Sequence, residues 1–202
     1  NIHLDLDANG NATGNMETLV KGGEISRLFH EICVPNKEKE RLIREKYRMP
    51  GFSLLSFDYV LDETANSFAS EKISMNLSQM ASKTGDRLFV KSNVFGSKEN
   101  IPPKLKKRRS KLEIQNSFHH RDTVTIKIPD GYKVEHLPER FELNKAFGNI
   151  KAGFELQGDQ LIYTKILNVR HYSGQPDEYN EYVDFLMQAK KADEQNFVLV
   201  KI

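Results

Sequence analysis

The sequence has a single cysteine, no tryptophan and no long run of apolar residues. One cysteine excludes a disulfide within the chain and leaves its redox compartment open. No apolar run approaches the roughly 18 residues that a membrane-spanning helix needs, so we expect no membrane span. The formal net charge is only +2, so the chain has no overall field that attracts nucleic acid or an anionic membrane.

The common motifs of catalysis and cofactor binding are also absent. The chain contains no GxGxxG, GxxxxGKS/T or GxSxG sequence, and no CxxC, HxH or HExxH spacing. Carboxylates that are adjacent in turns, such as Asp62-Glu63, do not by themselves select an acid–base pair. We therefore expect no cofactor, no metal and no catalytic residues, and the chain is not predicted to be an enzyme.

The composition favours thin apolar layers beneath a surface that is rich in charged and polar residues. Apolar residues make up 38% of the chain and charged residues 29%, and the mean hydropathy is −0.59. Packed sheets whose strands each bury one face produce this balance.

Alternation of apolar and polar residues predicts strands through most of the chain. The first strand, Ile2–Leu6, is followed by turn residues at Asn9-Gly10 and a return strand at 16–20, which together predict a hairpin. Lys165 interrupts the apolar face of one later strand. The other predicted strands lie at 53–61, 73–77, 88–90, 123–129, 150–156, 161–169 and 197–202.

Two regions change to helical spacing. The first has an apolar stripe and is interrupted at Pro35, which predicts helices near 24–48. The second follows the start signal Pro176-Asp177 and predicts a helix near 178–192. The fold class is therefore mainly β (α+β), an antiparallel β-sandwich-like arrangement with helices near 24–48 and 178–192.

Pro102-Pro103 and the basic run after it predict a connector. Each half of the chain offers too few strands to close a pair of sheets alone, so we expect residues 1–202 to form a single domain. Two subdomains divided near residues 100–110 are the alternative.

Cys33 is the only candidate nucleophile. It lies near the C-terminal end of its predicted helix, where the helix dipole disfavours a thiolate, and at the edge of the apolar stripe. Because free cysteine is commonly buried, we expect a small packing residue. The histidine pair His119-His120 is expected to point to opposite faces of a strand, which opposes chelation of one metal ion.

The densest charge in the chain is a basic run after Pro103. Such a run can bind phosphate backbones or anionic lipid, and it can equally be a solvated linker. Nucleic acid is disfavoured because no recognition helix or aromatic platform accompanies the run. The candidate interaction patch consists of Lys104, Lys106, Lys107, Arg108, Arg109 and Lys111.

Tyr179 and Tyr182 are the aromatic residues that could stack on a sugar or a peptide. Their helical spacing favours contacts between helix and sheet instead.

Several segments, in order, carry a family resemblance. They are TVTIKIP at 123–129, DGYKVEHLP at 130–138, the strand–turn–strand block at 150–169, EYNEYVDFL at 178–186 and FVLVK at 197–201. Together they resemble the C-terminal region of large Bacteroidetes proteins. Those proteins join an N-terminal β domain, a transglutaminase-like core and a β-rich C-terminal domain of unknown function. The front of the chain, with DLDANGNATG and ISRLF, is similar to the domain that follows the core there.

The resemblance implies that the chain is an accessory domain, the C-terminal part of a larger exported protein in the periplasm or at the cell surface. The family's catalytic Cys, His and Asp lie in the papain-like core upstream, and none matches Cys33 or a histidine here. The start at Asn1, without Met or a leader, fits a fragment or processed product.

Three functional hypotheses follow. The first is a non-catalytic structural and interaction module whose partner is a neighbouring transglutaminase-like domain of the same chain. The second is a carbohydrate- or peptide-binding β-sandwich that uses exposed aromatic side chains. The third is polyanion binding through residues 104–111.

Overall fold

The computed structural model describes residues 1–64, 67–96 and 101–202. Before the basic run, the described residues form six strands and two helices. They are β1 (Ile2–Leu6), β2 (Ala12–Lys21), a short 3₁₀ turn (Gly22–Glu24), α1 (Ile25–Cys33), α2 (Asn36–Lys46), β3 (Phe52–Asp62), β4 (Phe68–Leu77), β5 (Ala81–Thr84) and β6 (Arg87–Lys91).

The part after the basic run contains eight strands and the long third helix. They are β7 (Leu112–Ile114), β8 (Phe118–Lys127), β9 (Tyr132–His136), β10 (Phe141–Lys145), β11 (Gly148–Gln157), β12 (Gln160–Val169), β13 (Tyr172–Gly174), α3 (Glu178–Glu194) and β14 (Asn196–Lys201). The fold is mainly β, and the helices lie where the sequence predicts them.

Eight strands form one large sheet in the order β10-β11-β12-β8-β1-β2-β4-β3. A four-stranded sheet has the order β5-β6-β14-β9, and β13 pairs with β7. The pairs are antiparallel except β1 with β8, which run parallel in the middle of the large sheet. Strands from both sides of the basic run thus lie side by side. The start of the region 100–110, where the sequence places the alternative division, falls outside the described residues.

Period-two alternation places one apolar row across the inner face of the large sheet. The register aligns side chains of seven strands in the order Phe57, Ile73, Met16, Ile2, Val124, Tyr163 and Phe154. Polar residues such as Ser74, Asn15 and His3 form the neighbouring row on the opposite face. Each strand therefore buries one face, as its sequence alternation predicts.

The smaller sheet and the helices on either side of it cover the inner face. Leu88 of β6 and Phe197 of β14 bring the four-stranded sheet onto the middle, in the same apolar core as Ile126. Ile43 of α2 joins that core near β3 and β4. Val183 of α3 packs at the other end, in a second core with the ends of β11 and β12. The arrangement is sandwich-like, with helices flanking the smaller sheet.

Five strands are the elements that the sequence pattern did not show. β7 and β13 have three residues each, and β5 has four, which is too short for period-two alternation to be recognised. β9 and β10 have five residues each, of which only two alternate as apolar residues. In residues 1–64, 67–96 and 101–202, no helix has the length and apolarity needed to cross a membrane.

Substitution of Gly14 tests how closely β2 packs against β1 in the large sheet. A Cβ at this position of β2 would lie 2.0 Å from the backbone oxygen of His3 in β1. Because a backbone atom in a central strand cannot move away freely, we expect Gly14→Ala to lower the free energy of unfolding by about 2 kcal/mol. Urea denaturation followed by circular dichroism measures this change.

Gly23→Ala is the matched control, because nothing lies within 4 Å of a Cβ built there. If both variants unfolded at the wild-type urea concentration, the close approach of β1 and β2 would be disproved.

Candidate functional site

Lys165 lies buried on the inner face of β12, with its side chain 1% exposed. Its ammonium contacts the carboxylate of Asp193 on α3 and lies 3.2 Å from Oδ2 of Asp122 on β8. The hydroxyl of Tyr163, on the same face of β12, donates to Oδ1 of Asp193 at 3.2 Å. One ammonium is thus held between two carboxylates, and we call these four residues the Lys165 cluster.

The charges of the Lys165 cluster depend on one another. Burial alone would lower the pKa of Lys165, but the carboxylates of Asp193 and Asp122 outweigh it and raise that pKa. Burial also raises the pKa of Asp193 despite its lysine partner, and the negative charge of Asp122 adds to that rise. Burial and the nearby Asp193 raise the pKa of Tyr163. The ammonium form of Lys165 and the neutral form of Tyr163 are both favoured.

The segment after β6 closes the Lys165 cluster. The side-chain amide of Asn93 donates to Oδ1 of Asp193 at 3.4 Å, and its backbone N–H donates to the Asp193 carbonyl at 3.2 Å. Ser92 binds the carbonyl of Gln195 through both its N–H and its hydroxyl. A Cβ at Gly96 would lie 2.5 Å from the Asp193 carboxylate. The cluster is therefore sealed on this side by backbone.

A second buried cluster lies under α1 and α2 and is centred on Glu71 of β4, whose side chain is 0% exposed. Its carboxylate accepts hydrogen bonds from Tyr47 at 2.7 Å and Tyr59 at 2.8 Å, and Lys46 lies 3.2 Å away. Lys46 also contacts Glu31 of α1 at 3.2 Å. Burial and the Glu71 charge raise the pKa of both tyrosines. Again one ammonium lies between two carboxylates.

Both clusters fix helices to the large sheet. In the described part of the chain, every buried side-chain nitrogen or oxygen has a hydrogen-bond partner. Within the same ranges, no three His, Cys, Asp or Glu side chains are placed to hold a metal ion. The buried carboxylates are occupied by internal partners, so they serve the packing of α1, α2 and α3.

Cys33 corrects the sequence interpretation. We expected a buried packing residue, and the structure shows an exposed thiol at the last position of α1. The reason is that only part of the apolar stripe of α1 is covered. Leu28 is buried, whereas Phe29, which lies four residues before Cys33, is 46% exposed. The predicted position at the C-terminal end of the helix is confirmed.

The histidine pair lies on β8 and points to the two faces of the sheet, as predicted. His119 is exposed and contacts Oδ1 of Asn168 on the neighbouring strand. The ring of His120 lies 4.6 Å from that of Phe118.

The tyrosines of α3 belong to the interior, also as predicted. Tyr179 is 9% exposed, and the half-buried Tyr182 packs edge-on against Phe147 at 5.4 Å.

The basic patch lies along α3 as an extended segment. Lys104 forms an ion pair with Asp184 at 2.5 Å, and the guanidinium of Arg108 lies 4.3 Å above the ring of Tyr179. The other four cations of the patch are exposed: Lys106, Lys107, Arg109 and Lys111. The patch is thus part fixed and part open to solvent.

A groove of about 480 Å³ runs between α2 and β3. Its apolar wall includes Ile32, Leu54 and Leu55, and its polar rim includes Lys39 and Asp58. Leu55 is the extra residue of a β-bulge in β3 and is 59% exposed. This groove lies beside the edge of the large sheet at β3, and the sequence did not indicate it.

A second groove of about 490 Å³ lies on the outer face of the large sheet. It is lined by polar residues such as His3 and Asn15 and by the apolar residues Met16, Phe57 and Ile73. Both grooves share Ser56, Phe57 and Asp58 of β3. The central part of β3 therefore has a groove on each side of the sheet.

More than half of the chain matches a known protein family. Residues 86–199 match DUF3858, a family described as a domain of unknown function. No curated protein and no solved structure matches the chain.

Replacement of Lys165 tests the role of its cluster. We expect Lys165→Met to lower the free energy of unfolding by roughly 3–5 kcal/mol, because it leaves the Asp193 carboxylate buried without a cation. The double variant Lys165→Met/Asp193→Leu should recover part of that loss. Urea denaturation of both single variants and the double variant gives the coupling energy.

Lys104→Met is the control for this prediction, because its ion pair with Asp184 is half exposed on both sides and should contribute little. An equal loss in both lysine variants, with no recovery in the double variant, would contradict the proposed role.

Stability should fall as the pH rises above about 10, the usual pKa of an unfolded tyrosine. The folded-state pKa of Tyr163 and Lys165 is raised, so each group holds its proton more tightly in the folded protein. Their contribution is complete below the unfolded pKa and is lost as the pH rises toward the folded one. The urea midpoint measured between neutral pH and pH about 11 reports it. Tyr163→Phe should show a shallower alkaline decline, and an unchanged slope would refute this explanation.

Proposed function

We propose that this chain, which belongs to the DUF3858 family, is a non-catalytic module that docks onto a neighbouring transglutaminase-like domain of the same exported protein. The partner and the exported location rest on the family resemblance of its sequence segments. The strand edge at β3 is the observation that carries the docking role.

The closed interior supports a role without catalysis. The buried ionisable groups of the two clusters around Lys165 and Glu71 are engaged by internal partners. The exposed thiol of Cys33 lies at a helix C-terminus, which opposes its activation.

The edge of β3 supports docking. β3 is the last strand of the large sheet, and its outer side has no strand partner among residues 1–64, 67–96 and 101–202. An edge strand presents backbone N–H and C=O groups that can pair with a strand from another domain.

The two grooves give such pairing its specificity. Successive side chains of a strand point to opposite faces of a sheet. A strand added beside Ser56–Asp58 would therefore place alternate side chains into the groove beside α2 and into the groove on the outer face. Both grooves have apolar and polar walls, so this arrangement fits a partner strand that carries apolar side chains on both of its faces.

The alternative, a glycan- or peptide-binding site built from exposed aromatic side chains, has less support. All seven tyrosines are buried or half-buried. The large aromatic side chains that are exposed in the described ranges are Phe29 on α1 and Phe89 on β6, which belong to different layers.

Leu55→Asp tests the docking surface. A charge at this exposed apolar position should weaken binding to the transglutaminase-like domain of the same polypeptide at least about tenfold, because it opposes burial of the apolar wall of the groove beside α2. Isothermal titration calorimetry with the two separately expressed domains measures the dissociation constant.

Leu156→Asp is the matched control, since Leu156 is 51% exposed on β11 at the far side of the sheet. The docking role fails if the domains do not associate or if both variants bind like the wild type. The non-catalytic role fails if the isolated chain turns over a peptide amide and Cys33→Ala abolishes that turnover.

A further inference from the structure

The basic patch is held in one conformation by α3. The hydroxyl of Tyr179 donates to the carbonyl of Pro103 at 2.9 Å. The side-chain amide of Asn180 accepts from the N–H of Leu105 at 3.0 Å and donates to its carbonyl at 2.9 Å. Arg108 lies over Tyr179 and donates to the carbonyls of Ser110 and Lys111. We call residues 103–111 the basic strap.

We propose that the basic strap is a preorganised binding surface for an anionic lipid bilayer. This inference concerns a different surface from the groove at β3 and does not depend on the transglutaminase-like partner.

Two of the six cations of the strap contact α3, and the other four are exposed to solvent. Lys104 and Arg108 are used in contacts with α3. The cations of Lys106, Lys107, Arg109 and Lys111 are exposed and form no ion pair within the described ranges. Because the backbone is already ordered, presenting these four charges requires little additional ordering when the strap binds.

The carboxylates near the strap are used by other partners. Glu178 accepts from the hydroxyl of Tyr172 and the N–H of Gln175, and Glu181 contacts Lys145 at 3.1 Å. Asp184 contacts Lys104. The acidic face of α3 therefore does not neutralise the four displayed cations, although the net charge of the chain is only +2.

Leu105 favours a bilayer over a nucleic acid. It is 39% exposed between Lys104 and Lys106, so an apolar side chain accompanies the cations. Such pairing suits a membrane surface, where lysines meet the headgroups and an apolar residue enters the interface. Single-stranded nucleic acid is usually held by aromatic stacking, and the aromatic ring beside the strap, Tyr179, is buried and covered by Arg108.

Vesicle co-sedimentation of the full chain tests the proposal. The vesicles are phosphatidylcholine containing about a third phosphatidylglycerol, and vesicles of phosphatidylcholine alone. We expect binding to the anionic vesicles only, with an affinity that falls as sodium chloride is raised. Each cation near such a surface strengthens binding roughly fivefold, so replacing four with glutamine should weaken it at least about a hundredfold. The strap variant carries Lys106→Gln, Lys107→Gln, Arg109→Gln and Lys111→Gln.

A control variant of equal net charge separates the strap from general electrostatics. It replaces exposed lysines on α2, β6, β8 and β9, and it should bind the anionic vesicles like the wild type. Its changes are Lys37→Gln, Lys91→Gln, Lys127→Gln and Lys133→Gln. Leu105→Ser should weaken binding several-fold while leaving the salt dependence unchanged, because it removes an apolar contact and no charge.

Three results would overturn the proposal. They are absence of binding to the anionic vesicles, equal losses in the strap and control variants, and tighter binding to a single-stranded oligonucleotide than to the vesicles. Urea denaturation of each variant confirms that it is folded before the binding is compared.

Discussion

The ammonium of Lys165 lies inside the protein on the inner face of β12, and the layers above that face are arranged around it. A buried cation is tolerated only where carboxylates and hydrogen bonds replace water. Asp122 of the neighbouring strand supplies one carboxylate, and Asp193 of α3 supplies the other. The pairing determines where the end of α3 lies on the sheet, and β14 follows directly from that end into the smaller sheet.

At the other end of the large sheet, different residues also hold a lysine ammonium between two carboxylates. Lys46 of α2 lies between Glu31 and Glu71, and Tyr47 and Tyr59 donate to Glu71. At each end of the large sheet, a helix is thus positioned by a lysine ammonium that lies between two carboxylates. The four-stranded sheet covers the apolar middle of the large sheet. Because these polar groups are satisfied internally, the surfaces that we propose for recognition are the edge of β3 and the basic strap.

The family segment and the residues before it share both sheets. Residues 86–199 match DUF3858 and include β8, but β8 pairs with β1, which precedes the match. Likewise β6 pairs with β5. Without these neighbours, β8 and β6 would expose unpaired backbone edges. The N-terminal strands therefore complete the sheets of the family domain.

The apolar periodicity determined most of the strands and all three helices, because an element that buries one face records that face in its own sequence. It also placed His119 and His120 on opposite faces and Tyr179 in the core. It was wrong about Cys33, because whether the edge of a helical stripe is covered depends on what packs against α1.

Lys165 was visible as an interruption of an apolar face, but its partner Asp193 lies 28 residues away on another element. Only the tertiary structure could bring these charges together, and only the order of strands could show that β3 is an edge with a groove on each side. Sequence alternation reports which face of a strand is buried and contains no information on which strand lies beside it.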